Sequence, residues 1–259
     1  MIRFASLGSG SRGNALLVVS GKTRVLIDCG FGIRALAGRL ARLGTVPDQL
    51  DAVIVTHEHS DHIGGVAALQ RRTACPVYLS AGTHAAMRPR HPLNGPVHHV
   101  CADTSFSVGD LEIRPFSVPH DARSPLQYVI GDGAVRLGVL TDTGSVTDDM
   151  VSALSACEAL VLEFNHDSEM LETGPYPVFL KRRIAGPEGH LDNATAAGLL
   201  ARLNHERLQH VMAAHLSEQN NTRARVAQEV AAVLSIAPRD VCIASQGLGH
   251  DWLEICARL

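Results

Sequence analysis

The segment VIVTHEHSDHIGG constrains this chain more than any other feature, because three histidines and an aspartate fall within six positions after a β-branched run. The run predicts a buried strand. Side chains alternate along an extended segment, so His57 and His59 point to the same side and can reach one cation. Asp61 and His62 fall where the next helix begins and can face a second position close by. In a chain of this composition the pattern would arise by chance with a probability of roughly 0.002. We therefore predict a site for two metal ions.

Further ligands must come from elsewhere, because four side chains cannot fill two coordination shells. His120, Asp142 and His215 follow the predicted strands IRPFSVPH, VRLGVLTD and HVMAAH. Ends of neighbouring strands in one sheet lie side by side. Any one of these residues alone could equally cap a helix or bond a backbone group. Together with the first cluster they favour a dinuclear site.

The order of predicted elements favours two similar halves. Short β-branched runs separated by glycine turns open the chain and return between residues 97 and 141, and each β-rich part is followed by alternating strands and helices. We predict helices over Ile33–Leu43, Ile63–Arg72, Tyr176–Ile184, Asn193–Asn204 and Thr222–Leu234. Two sheets packed face to face, each covered by helices, give an α/β (α+β) fold of four layers, an αββα sandwich. No composition shift or linker divides the chain, so one domain over residues 1–259 is predicted.

Composition narrows the function classes. Hydrophobic residues make up 46% and charged residues 19%, which is typical of a globular protein. A net charge of -3 provides no strong field, so a nucleic-acid partner would need a local basic patch. We recognise neither a secretion signal nor an apolar run long enough to cross a membrane, so a cytoplasmic protein without membrane association is expected. Whether it forms a homodimer stays open.

The ordered motifs resemble those of a known family. THEHSDHIGG, with Asp28 after the strand VLID and with the three later ligands, is similar to the metallo-β-lactamase superfamily. SLGSGSRGN, VPHDA, LTDTG, EFNHDSEML, GPYPVFLKRRI, GHLDN and HLSEQNN further resemble its YycJ/WalJ branch, whose members are regarded as exonucleases. That branch usually reads ESNHD and GHLSN, so Phe164 and Asp192 depart from it, at positions that are not ligands.

The resemblance implies a role for each ligand. His57, His59 and His120 would bind the first metal, Asp61, His62 and His215 the second, and Asp142 would bridge both. Asp28 would orient a ligating histidine, although an aspartate that only ends a strand at a glycine turn is the alternative.

The implied chemistry is hydrolysis. Two cations roughly 3.5–4 Å apart can share a hydroxide and neutralise charge on a phosphoryl or carbonyl oxygen. Histidine and aspartate ligands suit zinc, manganese or iron, and we expect zinc or manganese. Asp61 and Asp142 would then be catalytic. The resemblance adds His190 of GHLDN as a general acid or transition-state stabiliser, with a histidine that merely precedes a helix as the alternative.

Several polar residues are candidates for contact with substrate. The glycine- and serine-rich turn SGSRGN could hold a phosphate, or be a plain hairpin turn. Residues 181–183, Lys-Arg-Arg, form either a basic patch or a solvated charged face. His166 would contact substrate or support a ligand. The predicted substrate-binding residues are Ser9, Ser11, Arg12, Asn14 and Asn193.

Three functions remain from the sequence. The leading one is a metal-dependent phosphodiesterase or nuclease, a 5′–3′ DNA exonuclease by resemblance. The second is a small-molecule hydrolase acting on a cyclic phosphodiester, thioester or lactone, which the same centre would serve. Aromatic residues are only 4% of the chain, so platforms for base stacking are scarce. The third, a metal-binding protein without catalysis, would be favoured by a missing ligand, and none is missing.

Overall fold

Fourteen strands in two sheets form the centre of the molecule in the computed structural model, which describes residues 1–257. The first sheet has the order β14-β1-β2-β3-β4-β5-β6 and the second β13-β12-β11-β10-β9-β8-β7. The strands are β1 Ile2–Gly8, β2 Ala15–Ser20, β3 Thr23–Ile27, β4 Ala52–Ile54, β5 Val77–Leu79, β6 Val97–His99, β7 Phe106–Val108, β8 Leu111–Ser117, β9 Leu126–Gly131, β10 Arg136–Leu140, β11 Ala159–Glu163, β12 His210–Ala214, β13 Cys242–Ile243 and β14 His250–Ile255.

Helices lie outside both sheets. They are α1 Ile33–Arg42, α2 Ser60–Ile63, α3 Val66–Thr73, α4 Ala81–Met87, α5 Asp148–Leu154, α6 Ser168–Thr173, α7 Val178–Ile184, α8 Asn193–Leu203 and α9 Arg223–Leu234, with 3₁₀ turns at Pro47–Gln49 and Pro238–Asp240. Within residues 1–257, none of them has the length and apolar character needed to cross a bilayer.

Three apolar clusters define four layers. The central one joins inward side chains of both sheets, among them Phe4, Ile54 and Tyr128. The two outer clusters pack α1 and α3 on the first sheet and α5, α8 and α9 on the second. The predicted αββα sandwich is confirmed.

The two halves are not independent along the chain. The last strand, β14, pairs antiparallel with β1, with Ile255 opposite Ile2. The first sheet therefore contains both ends of the described chain, while the second sheet comes from between them. The prediction of one domain is compatible with this connection and stays a prediction.

The helix predicted over Ile63–Arg72 is wrong in its bounds. The chain forms α2, passes through Gly64 and Gly65, and starts again as α3. Gly64 would place a Cβ 2.8 Å from the Ser60 carbonyl oxygen, so a side chain there would crowd the turn before it. The short α2 carries two of the predicted ligands, and the break aims them independently of α3.

Candidate metal centre

The loop after β4 carries the first four predicted ligands and is held by backbone hydrogen bonds. His59 is the N-cap of α2 and has an extended backbone, so Asp61 and His62 lie in the first turn of that helix. The N–H of Asn14 donates to the Asp61 carbonyl over 2.8 Å, and the N–H of Cys29 donates to that of His62 over 2.7 Å. The loop is fixed to the segment after β3 without help from the ligand side chains.

This attachment needs a glycine on the segment after β3. A Cβ on Gly30 would lie 1.8 Å from the carbonyl oxygen of Asp61, which is backbone and cannot swing away. Gly65 meets the same limit, since its Cβ would lie 1.9 Å from the carbonyl oxygen of Phe31. Two glycines thus permit the close approach that places the ligands.

The later ligands come from ends of strands in the second sheet. His120 follows β8, Asp142 follows β10, and His215 comes directly after β12. Asp142 and His215 both have a φ of 56°, in the left-handed region, and Asp28 after β3 has a φ of 59°. Residues other than glycine rarely adopt this conformation, which turns the chain sharply at the strand end and is frequent at functional sites.

The first predicted trio comes together at one end of the sandwich. His57, His59 and His120 offer nitrogen atoms that all lie within 4.8 Å of one another. His120 Nε2 lies 3.2 Å from His59 Nδ1. Burial lowers the pKa of both His57 and His120, so both present neutral imidazole, the form that binds a cation.

The second predicted trio lies beside it. Asp61, His62 and His215 also offer atoms within 4.8 Å of one another. The Asp142 carboxylate joins this group, with Oδ2 lying 3.2 Å from His62 Nε2 and Oδ1 lying 3.3 Å from His215 Nε2. Asp142 also groups with His57 and His62, so it touches both trios.

Buried ligand atoms without partners show that these residues fit metal ions. His57 Nε2, Asp142 Oδ2 and His215 Nε2 are buried and have no hydrogen-bond partner among the described residues. Buried polar atoms are normally satisfied, and unsatisfied atoms that converge call for an ion. Burial opposes ionisation of Asp142, but His215 and His62 hold the pKa of its carboxyl well below the usual range, so the carboxylate is charged. The fold and these clusters imply divalent cations.

Asp28, which was predicted to orient a ligating histidine, contacts the second trio. Asp28 Oδ2 lies 2.7 Å from His62 Nδ1, which leaves Nε2 for a cation. Thr56 fixes the carboxylate by donating its N–H to Oδ1 and its hydroxyl to Oδ2, each over 2.8 Å. Its hydroxyl also lies 2.9 Å from His57 Nδ1. Sequence reasoning missed Thr56, although its position directly before the first histidine was a usable signal.

Glu163, at the end of β11, is a second residue that sequence reasoning missed. Its side chain is fully buried, and Oε1 lies 2.8 Å from Nδ1 of His190. Oε2 accepts the backbone N–H groups of Leu191 and Thr143. Burial lowers the pKa of His190, but the charge and hydrogen bond of Glu163 together with the charges of Asp142 and Asp61 outweigh burial and raise it to about 9. An acid at the end of a strand is the same signal that identified Asp142, and EALVLEF contained it.

Two more missed residues contact the ligands. Asn165 Nδ2 lies 3.2 Å from His215 Nδ1 and donates to the His215 carbonyl over 3.0 Å. Asp121 Oδ1 lies 3.6 Å from Nε2 of both His59 and His120. These contacts orient the imidazole rings from outside the trios.

The predicted phosphate turn is largely occupied by internal contacts. Ser9 accepts the N–H of His215 through its hydroxyl, and Asn14 donates its amide to Asp61 Oδ2 over 3.1 Å. Arg12 pairs with Glu218 at 2.7 Å. Asn14 therefore orients a ligand. The residues of the turn left for contact with an anion are Ser11, which is exposed, and Arg12, which would first have to break its ion pair with Glu218.

Asn193 and His166 lie deeper than a substrate contact requires. Asn193 is buried, and its side-chain amide is paired at both ends with Asn221. His166 is buried, belongs to neither trio, and has no partner for Nδ1 in the described part of the chain. Asp192 caps α8, and Phe164 lies in the core, so neither departure from the family pattern touches the centre.

Comparisons with known proteins agree with this geometry. A family model described as a Beta-lactamase superfamily domain matches residues 23–212. Exodeoxyribonuclease YycJ of Bacillus anthracis is 34% identical over 241 residues, which cover 90% of this chain and 89% of that protein. Exodeoxyribonuclease WalJ of Streptococcus pneumoniae strain R6 is 34% identical over 225 residues, covering 85% and 84%.

Solved structures are similar in fold. The metallo-β-lactamase fold protein YhfI of Bacillus subtilis matches with a TM-score of 0.74, at 18% identity, over 98% of this chain and all of that one. A diphosphatase from the PhnP family matches with a TM-score of 0.70, at 18% identity, over the whole of both chains. At such identity the likeness concerns the fold alone.

Proposed function

The chain belongs to the β-lactamase superfamily and is a metal-dependent hydrolase, and on that premise we propose that it is a 5′–3′ exodeoxyribonuclease. The observation that carries the chemistry is the pair of histidine and aspartate trios that share Asp142 and contain buried atoms without partners. Two relatives that this chain covers almost fully are named exodeoxyribonucleases, which favours DNA over a small-molecule substrate.

We assign the predicted ligands to two cations. His57, His59 and His120 would hold one, and Asp61, His62 and His215 the other. Asp142 would contact both. When bound, the pair supplies a Lewis acid for a phosphoryl oxygen and lowers the pKa of water. The mixed nitrogen and oxygen ligands suit zinc or manganese, and iron is compatible.

His190 has the protonation state that a leaving oxygen requires. Its pKa of about 9 keeps the ring protonated at neutral pH. Because Nδ1 is bonded to Glu163, the proton on Nε2 is the one available for donation. Donation to the departing 3′-oxygen of the 5′-terminal nucleotide would give that oxygen a bond to hydrogen in place of its bond to the phosphorus of the next nucleotide, to which the oxygen of water adds.

The function is tested by metal analysis followed by degradation of labelled DNA. Purified protein is supplied in turn with manganese and zinc, and given linear single- and double-stranded DNA with a 5′-phosphate. We expect release of nucleotides from the 5′ end, loss of this activity in EDTA, and an intact circular control. Protein that leaves every DNA intact but hydrolyses a cyclic phosphodiester, a thioester or a lactone would contradict the proposal in favour of a small-molecule hydrolase.

Replacing Glu163 by Gln should shift the pH profile of DNA hydrolysis. The substitution keeps the shape of the side chain but removes the charge that raises the pKa of His190. A proton donor acts below its pKa and is lost above it, so the alkaline limb of kcat should move to lower pH, by about 1 pH unit or more. The measurement is kcat against pH for both proteins with saturating metal.

Glu158→Gln is the matched control for this shift. Glu158 is also buried, stands at the other end of β11, and contacts Arg136 and Arg207 instead of the centre. The pH profile of Glu158→Gln should keep the alkaline limb of the wild-type protein. If Glu163→Gln lowers kcat equally at every pH, Glu163 does not act through the proton of His190.

A further inference from the structure

Helix α7 is unusual because it presents apolar side chains to solvent. Four of its seven residues are apolar, yet none of its residues is buried. Val178 is 63% exposed and Phe179 is 73% exposed. Among Phe, Tyr and Trp in the described part of the chain, Phe179 is the one side chain that is exposed. Surface helices normally turn such residues toward the core, so this apolar surface has another use.

The C-terminal end of α7 is fixed beside the metal centre. Arg183 Nε lies 2.5 Å from Asp121 Oδ2, and the other oxygen of that carboxylate lies 3.6 Å from the His59 and His120 rings. The N–H of His190 donates to the Ile184 carbonyl over 2.8 Å. The helix is thus attached both to the first trio and to the proposed proton donor.

Phe179 lies one helical turn before Arg183 on α7. It precedes Arg183 by four positions, so both side chains lie on the same face of the helix, about 6 Å apart along the axis. The ring therefore lies about one helical turn from the residue that contacts Asp121.

Positive charge lies on the same helix as the exposed ring and on the loop after His120. The Arg182 guanidinium is exposed and pairs with no other described residue. Arg123, three residues after His120, is likewise exposed. Its backbone N–H donates to Glu58 and its carbonyl accepts from Ser124, while its guanidinium has no partner among the described residues. In a chain of net charge -3 these cations are a local feature of the rim of the site.

We propose that α7 binds a single-stranded segment of the DNA substrate, with Phe179 stacked on a base and with Arg182 and Arg123 facing phosphates. This inference rests on the proposed function and names its binding surface. An aromatic face among cations matches a polynucleotide, which alternates flat rings with anions. A second copy of the chain or a lipid surface would require a larger apolar area than two side chains. One exposed ring is enough to stack on a base, so the low aromatic content of the chain does not argue against a nucleic-acid substrate.

The test measures binding separately from turnover. The probe is a 5′-phosphorylated single-stranded dodecamer with phosphorothioate linkages, a 3′ dye and one 2-aminopurine near the 5′ end, added to metal-loaded protein. Fluorescence anisotropy should show that Phe179→Ala weakens binding about 5- to 100-fold and removes the quenching of 2-aminopurine. Phe179→Trp should bind within about twofold of wild type, while Phe179→Leu, which keeps an apolar side chain but lacks the ring, should remain weak. Arg182→Ala should weaken binding and reduce its salt dependence by about one phosphate.

Ile236→Ala is the control, because Ile236 is an exposed apolar side chain outside α7. It should bind as wild type does. The inference is overturned if Phe179→Ala binds within twofold of wild type, or if sedimentation shows that this variant only converts a dimer into a monomer.

A small substrate separates the inference from the proposed function. Bis(p-nitrophenyl) phosphate carries one phosphodiester and no run of bases, so Phe179→Ala should hydrolyse it with unchanged kcat while its KM for DNA rises. If KM for DNA is also unchanged, the inference fails and the nuclease stands. If the wild-type protein neither binds nor degrades any DNA, both fail.

Discussion

Replacing Asp142 by Ala is expected to abolish hydrolysis, with kcat on any substrate of the wild-type protein falling by roughly 10³-fold or more. Asp142 is the one predicted ligand whose carboxylate groups with both trios, because it lies beside His57 of the first and its oxygens lie 3.2 and 3.3 Å from His62 Nε2 and His215 Nε2 of the second. Its loss leaves each trio with a vacant position on the side where the two meet. We therefore expect the content of bound metal to fall as well, which elemental analysis of the variant would measure.

Asp103→Ala is a matched control for this loss. Asp103 has a φ of 60°, close to that of Asp142, but it is an exposed residue paired with Arg114. Alanine at either position adopts the same strained backbone, so any cost in stability should be shared. Full activity of Asp142→Ala with two metals bound would contradict the assignment of this carboxylate, whatever the substrate.

Replacing Gly30 by Ala is expected to displace the loop after β4, which carries the first four predicted ligands. A Cβ there would lie 1.8 Å from the Asp61 carbonyl oxygen and 2.8 Å from the Asn14 nitrogen, and both are backbone atoms. Relief requires the loop to move, which breaks the hydrogen bond between those two residues and separates Asp61 from His215. We expect a loss of about 3 kcal/mol or more in the free energy of unfolding, a fall of about 6–12 °C in Tm, and weaker metal binding.

Gly38→Ala provides the comparison for the same chemical change. Gly38 lies within α1, and a Cβ there would meet no atom within 4 Å. This variant should be as stable as the wild type or more stable by about 0.5–1 kcal/mol, because alanine favours a helix. Calorimetry and metal titration of both variants decide the matter. If Gly30→Ala has the same Tm as Gly38→Ala and binds metal equally well, close backbone contact does not hold the loop.

The residues that could be predicted from the sequence share a simple origin. Asp142 and His215 stand at the ends of strands that run parallel on either side of β11, so their ends lie close together, and His57 follows a strand of the facing sheet. The four layers follow in the same way from the alternation of strands and amphipathic helices. Contacts between residues far apart in the sequence could not be predicted in this way. The approach of Glu163 to His190, 27 positions later, depends on how a loop returns to the sheet, and no local pattern encodes it.

The contacts of the glycine-rich turn show the same limit. Its composition suggests an open anion site, but Asn14 meets Asp61 across 47 positions and uses its amide there. The periodicity of α7 predicts a helix, yet it cannot tell whether the rest of the protein covers that helix.

The backbone attachment of the ligand loop bears on how such a protein can evolve. Main-chain hydrogen bonds and two glycines hold the loop, so a histidine or an aspartate within it can change without altering the path of the chain. Catalysis can thus be lost in a single step while the architecture survives. A copy of the gene that had lost its activity would keep this fold, and its first mutations would be found among the metal ligands.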